Sequence, residues 1–129
     1  MIGYKAVRLV RHLVPFSTNL YASCYARGRF CKKYICGTIV KAVDCTDGVY
    51  IFDTEHHARE FIEFHNNYVS NLCILKVRII GKSKKPHCIS MLQGENALYD
   101  FWNGTGKFTT TSIPKGTLIC KSIEILEKV

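Results

Sequence analysis

Apolar and polar side chains alternate almost from the first residue. Tyr4-Lys5-Ala6-Val7-Arg8-Leu9-Val10 keeps close to the period of two that a half-buried strand imposes. Arg11-His12 reads as a turn. Leu13 to Tyr25 is apolar but interrupted by Pro15 and Asn19, which predicts a second strand with irregular portions. Tyr34 to Val43 sets Ile35, Thr38, Ile39, Val40 and Val43 around Gly37, a third strand region rich in β-branched side chains. Asp47-Gly48 is a turn signal, and Val49-Tyr50-Ile51-Phe52 follows as a short buried strand.

The period then changes from two to 3.6. Thr54 is a good N-cap, and Glu55 in the first turn suits the helix dipole. Ala58, Phe61, Ile62 and His65 fall on one face, and Asn66-Asn67 ends the run, so the pattern predicts a helix over 54–66. Leu72 to Ile80 returns to strand spacing. Cys73, Leu75, Val77 and Ile79 face one way, Lys76 and Arg78 the other, and Gly81 closes the strand. Residues 82–116 are the least regular, broken by Gly94, Gly104, Gly106 and Pro114, with Met91, Leu92, Ala97, Leu98, Phe101 and Trp102 as material for one short helix. Thr117 to Leu126 reads as a last strand, with Ile119, Ile123 and Ile125 on one face and Glu124 on the other. The sum is a single α+β domain over residues 1–129, a mostly antiparallel sheet with one main helix packed on it. Seven Tyr, seven Phe and one Trp among 129 residues supply the bulk that a core of this size needs.

Charge adds a second layer. The formal net charge of +8 is unevenly spread. Residues 1–43 hold eight Lys and Arg and no acid, residues 44–63 hold six acids and Arg59, and residues 64–94 hold five Lys and Arg and no acid. The densest clusters are Arg27, Arg29, Lys32 and Lys33, interleaved with Tyr25, Phe30 and Tyr34, and Lys82, Lys84 and Lys85. Cations with aromatics between them can neutralise phosphates and stack bases. These seven basic residues are therefore the candidate anion-binding set, weighed against a solvated surface that keeps a small protein soluble. No recognition-helix, zinc-finger or RNP-type pattern accompanies them.

Catalytic and metal chemistry find little support. The seven cysteines are Cys24, Cys31, Cys36, Cys45, Cys73, Cys88 and Cys120, an odd number without the close pairs of a structural zinc site. With no secretory signal pattern at the start, they read as free thiols of an intracellular protein that binds no metal. No apolar run approaches the length of a membrane span. Gly104-Thr105-Gly106-Lys107 lacks the earlier glycine and the hydroxyl residue of a phosphate loop, since Phe101 and Phe108 stand there. His12 near Ser17 and Thr18 has no carboxylate within the first 43 residues to orient it. His57 reads as packed beside Phe61, and His65 as a core-edge residue.

Two resemblances bear on function. Gly3–Arg8, Leu20–Ser23, Gly48–Phe61 and Leu72–Gly81 together resemble small uncharacterised single-domain proteins of large DNA viruses and phages. That resemblance implies an accessory or virion-associated protein, placed in the host cytoplasm or the virion. Separately, Gly48–Asp53, Ala58–Phe61 and Leu72–Ser83 are similar to the middle of the poly-ADP-ribose polymerase type of ADP-ribosyltransferase. This second likeness implies NAD as cofactor, Tyr50 stacked on nicotinamide, Phe61 as a second aromatic, Glu124 as the catalytic carboxylate and Lys5 or Arg8 as cofactor anchor. The family's first strand carries His-Gly-Thr where this chain has Gly3-Tyr4-Lys5. The leading expectation is a non-enzymatic, basic interaction module without cofactor. Its partner would be nucleic acid or another polyanion, a protein, or a second copy of the chain, and not a membrane.

Overall fold

The computed structural model describes residues 1–10, 20–23, 32–42, 48–67, 69, 71–86, 89–90, 110–111 and 113–129. Along the chain come β1 (Ile2–Val10), β2 (Leu20–Ser23), β3 (Lys33–Tyr34), β4 (Ile39–Lys41), β5 (Val49–Phe52), α1 (Glu55–His65), β6 (Leu72–Lys84), β7 (Ile89–Ser90), β8 (Thr110–Thr111) and β9 (Thr117–Lys128). Among the described residues strands predominate, every pairing is antiparallel, and a single helix is present, which is the expected α+β class. The candidate short helix around residues 91–102 lies outside the described residues. So does most of the predicted second strand, of which β2 is the described part.

Pairing closes the main sheet on itself. β1 pairs with β6 from Ile2↔Arg78 to Arg8↔Leu72, and β6 pairs with β9. β9 pairs with β5 from Val49↔Cys120 to Phe52↔Thr117, and β5 returns to β1 at Tyr4↔Phe52. Further along, β2 and β3 extend from β1 while β4 lies beside β9. A closed circuit of strands has an inside and an outside, so both faces of these strands can be apolar.

The inside holds Val7, Tyr34, Val40, Val49, Ile51, Leu75, Val77, Ile79, Cys120, Ile123 and Ile125, all buried in one cluster. Outside, α1 covers a second cluster of Ala6, Phe52, Ala58 and Ile74, with Phe61 and Ile62 against it. The helix begins where its capping chemistry predicts. Thr54 is extended, and its hydroxyl accepts from His57 N at 3.2 Å. Asn66 is the C-cap.

Three strand expectations need correction. The region 34–43 is two strands, not one: β3 pairs with β2 and β4 with β9, and the chain turns between them, with Gly37 at a φ of 87°. β6 does not stop at Gly81. It runs on to Lys84 because Gly81, at a φ of 81°, sits in a register shift between Ile80 and Ser83 and bends the strand instead of ending it. On β9, Ile119 is buried but does not share the interior with Ile123 and Ile125. Cys120 takes that place, because the alternation of β9 changes phase across the same shift.

Candidate functional site

The basic residues come first, since the sequence singles them out. Arg27 and Arg29 lie outside the described residues. Lys33 is exposed on β3 opposite Ala22, and Lys32 is half-buried with its backbone tied to Ser23 on both sides. Ser23 N donates to Lys32 O at 3.1 Å, and Lys32 N donates to Ser23 Oγ at 2.9 Å. Lys82, Lys84 and Lys85 are exposed at the far end of β6. The two tracts do not meet. Through β2 and β1, Lys33 aligns with Ala22, Arg8 and Leu72 at the start of β6. The lysine tract lies at the other end of that 13-residue strand. Thirteen residues at the strand rise make about 40 Å of chain contour.

Register brings in two lysines that the sequence reading did not select. Ser83 is opposite Cys120, and Ser122 is opposite both Ile80 and Lys41. Lys121 and Lys41, both exposed, therefore stand at the level of Lys82. They lie on three strands distant in sequence, and only the strand pairing connects them.

Several acids are already engaged elsewhere. Glu55 accepts from Arg59 Nε at 2.9 Å, Glu60 meets His56 at 2.8 Å, Glu124 meets Arg78 at 3.5 Å and Glu127 meets Lys76 at 3.9 Å. Asp53 Oδ1 is 2.6 Å from His57 Nδ1, a contact at the start of α1 that the i,i+4 spacing makes possible. This hydrogen bond from His57 holds the Asp53 carboxyl below the usual carboxylate range. Asp53 N also donates to Gly116 O at 2.9 Å, tying the helix start to the approach of β9. The pair's evident work is to fix that junction.

Residues of the transferase resemblance are spread over the barrel. Tyr50 is opposite Ile119 on β9, whereas Glu124 is opposite Ile39 and Arg78, five residues further along β9. At the strand rise that is about 16 Å of contour. Phe61 packs on Phe52 at 5.2 Å and on His65 at 4.1 Å, inside the helix–sheet contact. Arg8 Nε donates to Ser23 O at 3.0 Å. Lys5 shares the parity of Val7 and so faces the barrel interior. Its Nζ donates to Tyr50 O at 2.7 Å and lies 5.7 Å from the centre of the Tyr34 ring. Each candidate anchor is thus engaged by the fold itself.

Cys36, Cys73 and Cys120 are free thiols, and burial pushes the Cys73 and Cys120 thiols up. The other four cysteines lie outside the described residues. Among the described residues, no three or more His, Cys, Asp or Glu side chains stand together as metal ligands. No described helix is long and apolar enough to cross a membrane.

Over its described residues the chain is a small antiparallel β-barrel with one outer helix and a lysine-bearing strand end. No protein-family model, no curated protein and no solved structure matches it.

Proposed function

We propose that the protein is a non-enzymatic binding module, of the viral accessory or virion-associated kind, that holds a polyanion such as nucleic acid on its lysine-bearing strand end. One observation carries the reading. Lys82, Lys84 and Lys85 are exposed and make no ion pair among the described residues, while Glu55, Glu60, Glu124, Glu127 and Asp53 are engaged with other partners. Exposed cations without an ion pair among the described residues can release counterions from a phosphate backbone when they bind it. Lys41 and Lys121 widen the same end. Lys32 and Lys33, at the other end of the sheet, are a separate candidate contact, and Arg27 and Arg29, close to them in sequence, lie outside the described residues.

Fluorescence anisotropy with labelled single-stranded DNA, duplex DNA, RNA and heparin tests this. Three phosphate contacts give a slope of about −2 to −3 in log K against log salt. Replacing Lys82, Lys84 and Lys85 together by Ser removes that slope, and replacing Arg27, Arg29, Lys32 and Lys33 by Ser reports on the second region. Failure of all four polyanions to bind at low salt overturns the reading.

A further inference from the structure

The outer face of the barrel opposite the interior row of Val77, Ile79, Ile123 and Ile125 carries an unusual order of side chains. Register sets Ile2 of β1, Arg78 of β6, Glu124 of β9 and Ile39 of β4 side by side in one row. Their neighbours Val77, Ile79, Ile123, Ile125 and Val40 point inward, so these four point out. The next row on one side sets Tyr4, Lys76 and Glu127 across β1, β6 and β9. Cations therefore stand on β6 and anions on β9, level with one another, in two successive rows. Apolar residues flank them. Ile2 is 38% exposed, Ile39 58% and Ile80 39%. The helix does not shelter these three, since it packs on Ala6, Phe52 and Ile74.

We propose that this face is the interface of a homodimer, with the two-fold axis lying along the seam between β6 and β9. Such an axis sets β6 of one copy against β9 of the other and β1 against β4. Arg78 then meets Glu124 of the second copy, Lys76 meets Glu127, and Ile2 meets Ile39. Every contact occurs twice, as an isologous interface requires. A row ordered apolar, cation, anion, apolar is complementary to its own image, and that complementarity selects a second copy over an unrelated acidic or basic surface. The ion pairs within one copy leave room for this. Arg78 and Glu124 approach only to 3.5 Å and Lys76 and Glu127 to 3.9 Å, longer than a saturated charge-assisted hydrogen bond. Both pairs keep donor and acceptor capacity for a partner. The inference does not rest on polyanion binding: the two surfaces adjoin at the row of Ile80, Ser122 and Lys41, but association is read without any polyanion present.

Sedimentation equilibrium of the full chain reads the association directly. The wild-type protein is expected to be dimeric at about 0.2 mM, a concentration tenfold or more above a dissociation constant of about 10 μM. Arg78→Glu alone and Glu124→Arg alone are expected to be monomeric, because each places like charges across the axis twice. An equimolar mixture of the two variants is expected to form a mixed dimer. The first variant carries two acids in the central row and the second carries two bases, so opposite charges meet at both contacts. A pair that acts only within one copy predicts no recovery on mixing. If either charge variant loses its native circular dichroism, Ile39→Ser keeps both charges and should weaken association by about tenfold or more. A monomeric wild-type protein, a mixture that stays monomeric, or an Ile39→Ser variant that associates like wild type overturns the proposal.

Discussion

Gly116 joins β9 to the start of the helix, and its replacement by alanine should be unusually damaging. Its φ is 81°, a left-handed conformation that favours glycine. A Cβ there would run into the Asp53 carboxylate and the His57 ring. Three contributions therefore add. The backbone conformation costs an alanine about 1 kcal/mol. Displacing the Asp53–His57 hydrogen bond costs about a further 1 kcal/mol, with Asp53 44% and His57 18% exposed. Disturbing the neighbouring Thr54 cap contributes up to about 1 kcal/mol. The sum is about 2–3 kcal/mol, a large share of the stability of a domain this size. Gly81 supplies the control. It has the same φ of 81°, and a Cβ there meets nothing within 4 Å. Gly81→Ala should therefore cost only the backbone share, about 1 kcal/mol. With a urea slope of about 1.5 kcal/mol/M, the midpoint falls by about 0.7 M for Gly81→Ala and about 1.3–2 M for Gly116→Ala. Repeating Gly116→Ala in an Asp53→Ala background should shrink the excess, because the two sites share one contact. Equal midpoints for the two glycine variants would refute the reasoning.

Two more outcomes follow from burial. His65 is 7% exposed and stacked on Phe61, and burial lowers its pKa below the usual 6.5. Unfolded chains then bind more protons than folded ones just below pH 6.5, so His65 contributes stability above that pH and loses it on acidification. Urea midpoints at pH 7.5 and 5.5 should differ more for wild type than for His65→Phe, and identical differences would remove His65 from the account. A disulfide-exchange reagent should react quickly with Cys36 and slowly with Cys73 and Cys120, whose thiols are raised by burial. In denaturant without reductant, all seven cysteines should titrate as thiols, and a lower number would reveal disulfides.

Local physics made part of this structure legible from the amino-acid order alone. The helix is the clearest case: Thr54, Glu55 and the spacing of Ala58, Phe61, Ile62 and His65 are all information within a few residues, and the helix occupies Glu55–His65. The inward face of β6 was equally readable, because Leu75, Val77 and Ile79 alternate with Lys76 and Arg78. What depends on a partner strand was not. Gly81 looks like a stop, and whether it ends a strand or bends it is decided by the presence of β9 alongside. Residues 34–43 look like one strand, and they divide because their two halves pair with different neighbours. Ile119 and Cys120 exchange places because the alternation of β9 changes phase at the same shift, which a period of two read from sequence cannot detect. Lys5 enters the barrel because closure gives β1 two covered faces, so its polar position had to fall on one of them. The candidate site divides along the same line. Exposed lysines in one run, such as Lys82, Lys84 and Lys85, declare themselves in the sequence. Their distance from Lys33, their company with Lys41 and Lys121, and the facing order of Arg78 and Glu124 exist only once strands remote in the chain have taken their register.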